Sequence, residues 1–146
     1  MKTIFSILFF LIYSTVFSQE IMDQKLLPDS VIHEYQLNEK QAAAWNKIKS
    51  SWVENDYKAI LKENKIKLGC GGISNNECES IYVDVVLKIN EKRKLEYYKL
   101  INGKKCGEPI SKPLEIQLMK MFFKKEFPQE LRNIKFETRL GSVLKC

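Results

Sequence analysis

A strict alternation of aliphatic side chains over residues 81–89 constrains the fold of this 146-residue chain more than any other feature. This two-residue period is typical of a β-strand with one buried face. The aliphatic positions are Ile81, Val83, Val85, Leu87 and Ile89. A polar turn over residues 90–93 follows, and a second apolar segment over residues 95–101 then resumes. The pattern therefore predicts a β-hairpin.

A helix and a third strand are predicted after the hairpin. Ser111 is a favourable N-cap with Pro113 in the first turn, and Phe127-Pro128 ends the helical segment. Its apolar stripe consists of Leu114, Leu118, Met121 and Phe122, widened by Met119 and Phe123. Over residues 134–140 apolar and polar side chains alternate again, which predicts a strand with one face in the core and one in water.

A long amphipathic helix is predicted ahead of the hairpin. Asn38 and Gln41 have the spacing of a capping box, and Trp45, Ile48 and Trp52 recur on one stripe. Aromatic residues at helical spacing usually close a core. Core packing is therefore the favoured interpretation of the two tryptophans, ahead of a ligand-stacking platform.

The order strand, strand, helix, strand restricts the topology. A right-handed crossover places the third strand parallel to the second and beside the first, which gives the sheet order 2-1-3. One helical layer then covers the apolar face. We expect a two-layer α+β domain with a three-stranded antiparallel/mixed sheet, preceded by the long N-terminal helix.

The N-terminal residues are typical of an export signal. A short positive start precedes an apolar run of about fifteen residues, which is shorter than the roughly 20 needed to cross a bilayer. We expect cleavage after Ser18, with an uncleaved anchor as the alternative. Residues 1–18 are thus a predicted signal peptide, residues 19–37 an extension, and residues 38–146 a single domain with a helical part over 38–66. The protein is then exported, either periplasmic or secreted.

Four cysteines in an exported chain favour disulfides. The predicted topology brings Cys78, Cys106 and Cys146 to one end of the sheet. The preferred pairing is Cys70 with Cys78 across a Gly-rich loop, and Cys106 with Cys146. Pairing of Cys78 with Cys106 or with Cys146 stays open at the level of sequence.

Catalysis and cofactor binding are disfavoured. His33 is the only histidine, which argues against a two-His metal site or a Ser-His-Asp triad. A carboxylate hydrolase using Glu79 and Asp84 has only sequence proximity to support it. The net charge is +6, but the lysine pairs at 104–105 and 124–125 are typical of a solubilising surface rather than a nucleic-acid site. We therefore expect no enzyme activity, no metal, no cofactor and no nucleic-acid partner.

Residues 80–146 resemble the C-terminal domain of TonB-type energy transducers. The matching segments are the YVDVVLKI strand, the KLEYYKLI return strand, the PLEIQLMKMFF helix closing on FP, and the IKFETRL strand. The resemblance implies a periplasmic domain that binds a short extended peptide of an outer-membrane receptor by adding it to the third strand. Residues 19–37 reach at most about 65 Å when extended. The chain therefore resembles the binding module without the long spacer of a transducer.

The edge of the last strand is accordingly the candidate site. An unpaired strand edge can template an added strand, and its outward side chains select the partner. Lys135 and Arg139 favour an acidic peptide, and Glu137 moderates that preference. The candidate residues are Lys135, Phe136, Glu137, Thr138, Arg139 and Leu140.

A secreted inhibitor or immunity-type protein is the competing hypothesis. Small size, positive charge and disulfides fit this class equally well. Such a protein binds one folded enzyme through the Cys70–Cys78 loop or through the helix with Trp45 and Trp52. A strand-addition module instead takes an extended peptide at its last strand.

Overall fold

A computed structural model describes residues 30–146. The predicted signal peptide over residues 1–18, and residues 19–29 of the predicted extension, lie outside the described residues. Val31–Cys146 forms one compact unit. This unit begins seven residues before the predicted domain boundary at residue 38, because the end of the extension packs onto the sheet.

The described chain contains seven strands and three α-helices. The strands are β1 (Ile32–His33), β2 (Lys67–Leu68), β3 (Glu77–Cys78), β4 (Ser80–Ile89), β5 (Leu95–Lys105), β6 (Glu108–Pro109) and β7 (Ile134–Val143). The helices are α1 (Glu39–Trp52), α2 (Lys58–Glu63) and α3 (Lys112–Lys124), and a π-helical segment, Val53–Tyr57, joins α1 to α2.

The main sheet is mixed and has the strand order β1-β7-β4-β5-β6. The central strand β4 pairs antiparallel with β5 on one side and with β7 on the other. β1 adds to β7 in parallel, and β6 pairs with the end of β5. The α+β class is confirmed, but the sheet has five strands rather than three. The two extra strands are two residues long, too short to produce a visible sequence period.

The helices pack against one face of this sheet. The side chains of Trp45, Ile48 and Trp52 are buried, as expected for core packing. The indole Nε1 of Trp52 donates a hydrogen bond to the carbonyl of Leu118 on α3 at 3.1 Å. The hydroxyl of Tyr57 donates to the carbonyl of Ile81 on β4 at 3.0 Å. These contacts fix the helical layer on the alternating aliphatic positions of β4.

Both disulfides form, but the preferred pairing was wrong. Cys70 is bonded to Cys146, and Cys78 to Cys106, with Cα–Cα distances of 5.5 and 4.7 Å. The register of the hairpin explains the second bond. Ile81 lies opposite Lys105, and the Cys106 amide donates to the Ser80 carbonyl at 2.7 Å, so the residues flanking the two strands meet.

The Cys70–Cys146 bond follows from a second contact at the same end of the sheet. β2 pairs in parallel with β3, which holds Cys70 close to the start of β4. The Leu144 amide donates to the Glu79 carbonyl at 2.8 Å and brings the C-terminus to that place. The two bonds therefore tie the Gly-rich loop to the sheet instead of closing the loop on itself.

Candidate strand-addition edge

β7 is a regular strand ten residues long. It pairs with β4 from Ile134 to Val143 without a register shift. By contrast, the pairing of β4 with β5 has register shifts at two places. Bulges are a common protection of sheet edges, and β5 carries them whereas β7 does not.

The six candidate residues divide between the two faces of β7. Phe136 and Leu140 are fully buried, so their side chains are part of the core and do not face a partner. Lys135, Glu137 and Arg139 alternate with them on the face that the helices do not cover. Among these six, only those three outward side chains are placed to select an added peptide.

The edge of β7 is not free along its whole length, which corrects the prediction of an open border strand. Ile32 lies opposite Phe136 and His33 opposite Glu137, in a parallel pairing. A single 3-10 turn, Glu34–Gln36, follows β1. We call residues 32–36 the strap. In the sequence they fall within the predicted extension, because two residues of strand are too few to show periodicity.

Glu34 fastens the strap to the sheet and to α1. Its carboxylate accepts a hydrogen bond from the Thr138 hydroxyl, which is buried on β7. The Lys49 ammonium on α1 donates to both carboxylate oxygens at 3.0 Å. Both β7 and α1 therefore donate to the Glu34 carboxylate of the strap. Thr138 is, like Phe136 and Leu140, a candidate residue with a buried side chain.

The strap also contacts the outward side of β7. The His33 Nδ1 lies 3.4 Å from the Glu137 carboxylate, and the His33 ring stacks on Tyr35 with 5.2 Å between centroids. Tyr35 itself is largely exposed. The only histidine of the chain is thus a neighbour of the candidate edge.

Arg139 is less available to a partner than the sequence suggests. Its guanidinium donates to both oxygens of Asp84 at 2.7 and 2.9 Å and lies over the Tyr82 ring at 4.2 Å. The hydrogen bond with Asp84 raises the pKa of Arg139, against the opposing effect of burial. This bidentate pair also engages the Asp84 carboxylate, which argues against its use with Glu79 in hydrolysis.

The Gly-rich loop presents a second exposed feature. Ile73 lies at its tip with 87% of its surface exposed, between residues 70 and 78 that are each held by a disulfide. The two tryptophans of α1, in contrast, have no exposed surface and cannot form the contact face of an inhibitor. Of the two surfaces predicted for an inhibitor, only the loop has the necessary exposure.

Comparison with family models, with curated proteins and with solved structures finds no match for this chain. Within residues 30–146 no helix combines the length and apolar character needed to cross a bilayer. In that same range no three His, Cys, Asp or Glu side chains come together as a metal site. The two disulfides are consistent with an oxidising compartment outside the cytoplasm.

Proposed function

We propose that this protein is an exported, non-catalytic binding module that takes an extended peptide at the edge of β7. The observation that supports this most directly is β1 itself. A segment of the same chain already adds to β7 as a parallel strand through two register pairs. An edge that accepts one short strand offers the same backbone groups to another.

The strap is a replaceable occupant of this edge. It pairs over two residues, whereas β7 and β4 share ten register pairs. Its ion pair with Lys49 is about one-third exposed on both sides, and such pairs contribute about 0–1 kcal/mol. A longer peptide gains more backbone hydrogen bonds than the strap loses, so binding by exchange is favourable.

The resemblance to TonB C-terminal domains supports the choice of partner. It implies an extended segment of an outer-membrane receptor, which fits a location outside the cytoplasm. Side chains of the added strand that face outward lie beside Lys135, Glu137 and Arg139. Because Asp84 already compensates Arg139, Arg139 adds little to a preference for acidic residues, and the outward-facing Lys135 is the position at which a charge reversal tests that preference.

Peptide binding tests this proposal. A panel of fluorescent ten-residue peptides from the N-terminal segments of outer-membrane receptors is titrated against the protein beginning at Gln19, with anisotropy as the readout. Ile32→Pro weakens β1, since proline lacks the amide and cannot donate to the ladder. We expect it to tighten peptide binding about fivefold, the equivalent of about 1 kcal/mol.

A charge variant and its control complete this test. Lys135→Glu weakens binding of acidic peptides, whereas Lys124→Glu, an exposed position on α3, leaves it unchanged. Absence of binding to every peptide, or equal affinities in the parent protein and Ile32→Pro, would contradict the proposal.

One observation favours a second candidate function, a secreted inhibitor. Ile73 projects from a loop whose ends are fixed by both disulfides, and a pre-ordered apolar side chain is a typical anchor for a pocket in a folded partner. Ile73→Ser abolishes binding of such a partner and leaves peptide binding at β7 intact. The two functions are therefore separable by one substitution.

A further inference from the structure

A groove with a volume of about 610 Å³ lies between α1 and the segment that joins α3 to β7. We call it the α1 groove, and we call residues 125–131 the connecting segment. The lining of the groove includes Lys40, Ala43 and Lys47 of α1, and Lys125, Pro128 and Glu130 of the connecting segment. No residue that lines it belongs to the strap or to β7, so the α1 groove is separate from the edge proposed for peptide addition.

Both walls of the α1 groove are anchored in the core. Trp45 and Trp52 of α1 have no exposed surface, which fixes this helix on the sheet. In the connecting segment the side chains of Phe127 and Leu131 are buried as well, and the Phe127 amide donates to the Arg93 carbonyl at 2.9 Å. The groove is therefore preformed, and an occupant does not have to order its walls.

Positive charge dominates the lining of the α1 groove. The lysines that line it are Lys40, Lys47 and Lys125. Among residues 30–146, the side chains of these three lysines make no hydrogen bond, ion pair or ring contact. Two carboxylates also line the groove, but that of Glu126 is already paired with Arg93. Only Glu130 then offsets the three lysines, so the groove attracts an acidic occupant.

The backbone of the two walls does not offer a strand edge. One wall is the α-helix α1, whose amides and carbonyls are bonded within the helix. On the other wall Pro128 has no amide to donate, and the amides of Phe127 and Leu131 donate within the protein at 2.9 and 3.1 Å. A peptide in the groove must therefore satisfy its own backbone groups, as an α-helix does.

The exposure of the lining argues against a small molecule as the occupant. Sites for small molecules bury most of the surface of their ligand. Along the α1 wall, however, four lining residues are exposed, namely Lys40, Ala43, Lys47 and Ser51. The groove is thus open to solvent on this side, which suits a larger partner.

The spacing of the lysines on α1 fits a partner helix. Lys40 and Lys47 are seven residues apart, which corresponds to two turns, or about 10.5 Å along the helix axis. Acidic residues seven positions apart on a second helix have the same separation. Between the two lysines lies the small side chain of Ala43, and Pro128 faces it across the groove as part of the other wall. This middle part of the groove leaves room for apolar side chains of the partner.

From these observations we propose that the α1 groove is a docking site for an acidic amphipathic helix of a partner protein. The apolar side chains of that helix contact Ala43, Ile48 and Pro128, and its carboxylates lie beside Lys40 and Lys47. Because the groove shares no residue with the strap or with β7, this partner binds whether or not a peptide occupies the edge of β7. The contribution of charge makes the affinity dependent on ionic strength.

The probe is a designed fluorescent peptide of about 18 residues, long enough to form a helix in water. It carries a stripe of leucines and two glutamates seven positions apart beside that stripe. One control peptide has lysines in place of the glutamates, and a second has a central proline that breaks the helix. Decanoate, a small amphipathic carboxylate, is the comparison for a small-molecule occupant. Binding is measured by anisotropy on the protein beginning at Gln19, at two salt concentrations.

Two pairs of variants locate the binding. Lys40→Glu with Lys47→Glu reverses two charges of the groove, and Lys62→Glu with Lys120→Glu reverses two exposed charges elsewhere on the helices. Ala43→Trp fills the groove with a large side chain, and Ala59→Trp places the same side chain at an exposed alanine of α2. Circular dichroism verifies that each variant folds.

We expect the parent protein to bind the acidic helix and neither control peptide. The double charge variant of the groove and Ala43→Trp each lose at least about tenfold in affinity, and their matched controls lose less than about threefold. In the isotope-labelled parent protein, the acidic helix shifts amide signals at residues 40–51 and 125–130. Shifts confined to other residues, equal losses in groove and control variants, or no binding of the acidic helix would overturn the proposal. Equal binding of the proline peptide, or tighter binding of decanoate, would overturn the choice of a helix as the occupant.

Discussion

The hydroxyl of Thr138 donates a hydrogen bond to the carboxylate of Glu34, which joins residues separated by 104 positions in the sequence. Lys49 donates to the same carboxylate from α1. Through this contact the strap, the last strand and the first helix are connected at one point. A partner peptide that takes the place of the strap must release it.

Thr138→Val tests this connection, because valine keeps the shape of threonine and removes the hydroxyl. We expect a loss of about 1 kcal/mol in the free energy of unfolding, and faster amide exchange in the strap. Thr138→Ser keeps the donor and is the matched control for the amide-exchange measurement. If the amide-exchange rates of the strap were unchanged in Thr138→Val, this hydrogen bond would not be what holds the strap.

The disulfides yield a second prediction. Cys70 and Cys146 are both exposed, whereas in the other bond Cys78 is buried and only Cys106 is exposed. Limited reduction should therefore open the Cys70–Cys146 bond first, as read by alkylation and peptide mass spectrometry. If Cys78 and Cys106 were alkylated first instead, the result would contradict either the pairing of the cysteines or the greater exposure of the Cys70–Cys146 bond.

The two bonds should also differ in their effect on stability. They close loops with sequence separations of 76 and 28. The chain-entropy model predicts that their removal costs about 4.5 and about 3.6 kcal/mol. Denaturant unfolding of the variant with Cys70→Ala and Cys146→Ala, against the variant with Cys78→Ala and Cys106→Ala, measures this difference.

The two buried tryptophans form a matched pair for a further prediction. Trp52 donates its indole N–H to the Leu118 carbonyl, whereas the Nε1 of Trp45 is buried without a protein partner among the described residues. Trp52→Phe removes this second hydrogen bond to a helical carbonyl and should cost about 0.5–1.5 kcal/mol more than the loss of packing alone. Trp45→Phe removes an unsatisfied donor, so its cost should be clearly smaller. If Trp52→Phe and Trp45→Phe lowered the free energy of unfolding equally, in thermal and in denaturant unfolding alike, this assignment would be contradicted.

Periodicity predicted the elements that carry many buried side chains. The alternation over residues 81–89 and the stripe of Trp45 and Trp52 are direct consequences of burial on one face, and the α+β class follows from them. β1 left no such signal, because two residues of parallel strand depend on tertiary contacts with β7 and Glu34. The sequence therefore indicated the last strand as the candidate site without showing that the chain itself occupies part of its edge.

The disulfide pairing shows a different limit of sequence analysis. Proximity along the chain favoured Cys70 with Cys78, but β2 and β3 run in parallel and the hairpin register brings Cys106 to Cys78. Such registers depend on pairing between distant segments. The environment of Arg139 also depends on a distant segment. Its cross-strand partner Asp84 compensates a charge that, from the sequence, was expected to attract an acidic peptide.

The central claim is that the edge of β7 accepts an extended peptide in place of β1. Its most direct test adds a synthetic peptide of residues 30–37 to the isotope-labelled Ile32→Pro variant and follows the amide signals by NMR. We predict saturable shifts at residues 135–138 and none along residues 95–102 of β5, and a peptide with proline at its Ile32 position should produce no shifts. Shifts confined to β5, or no saturable shifts with the unmodified peptide, would contradict the account.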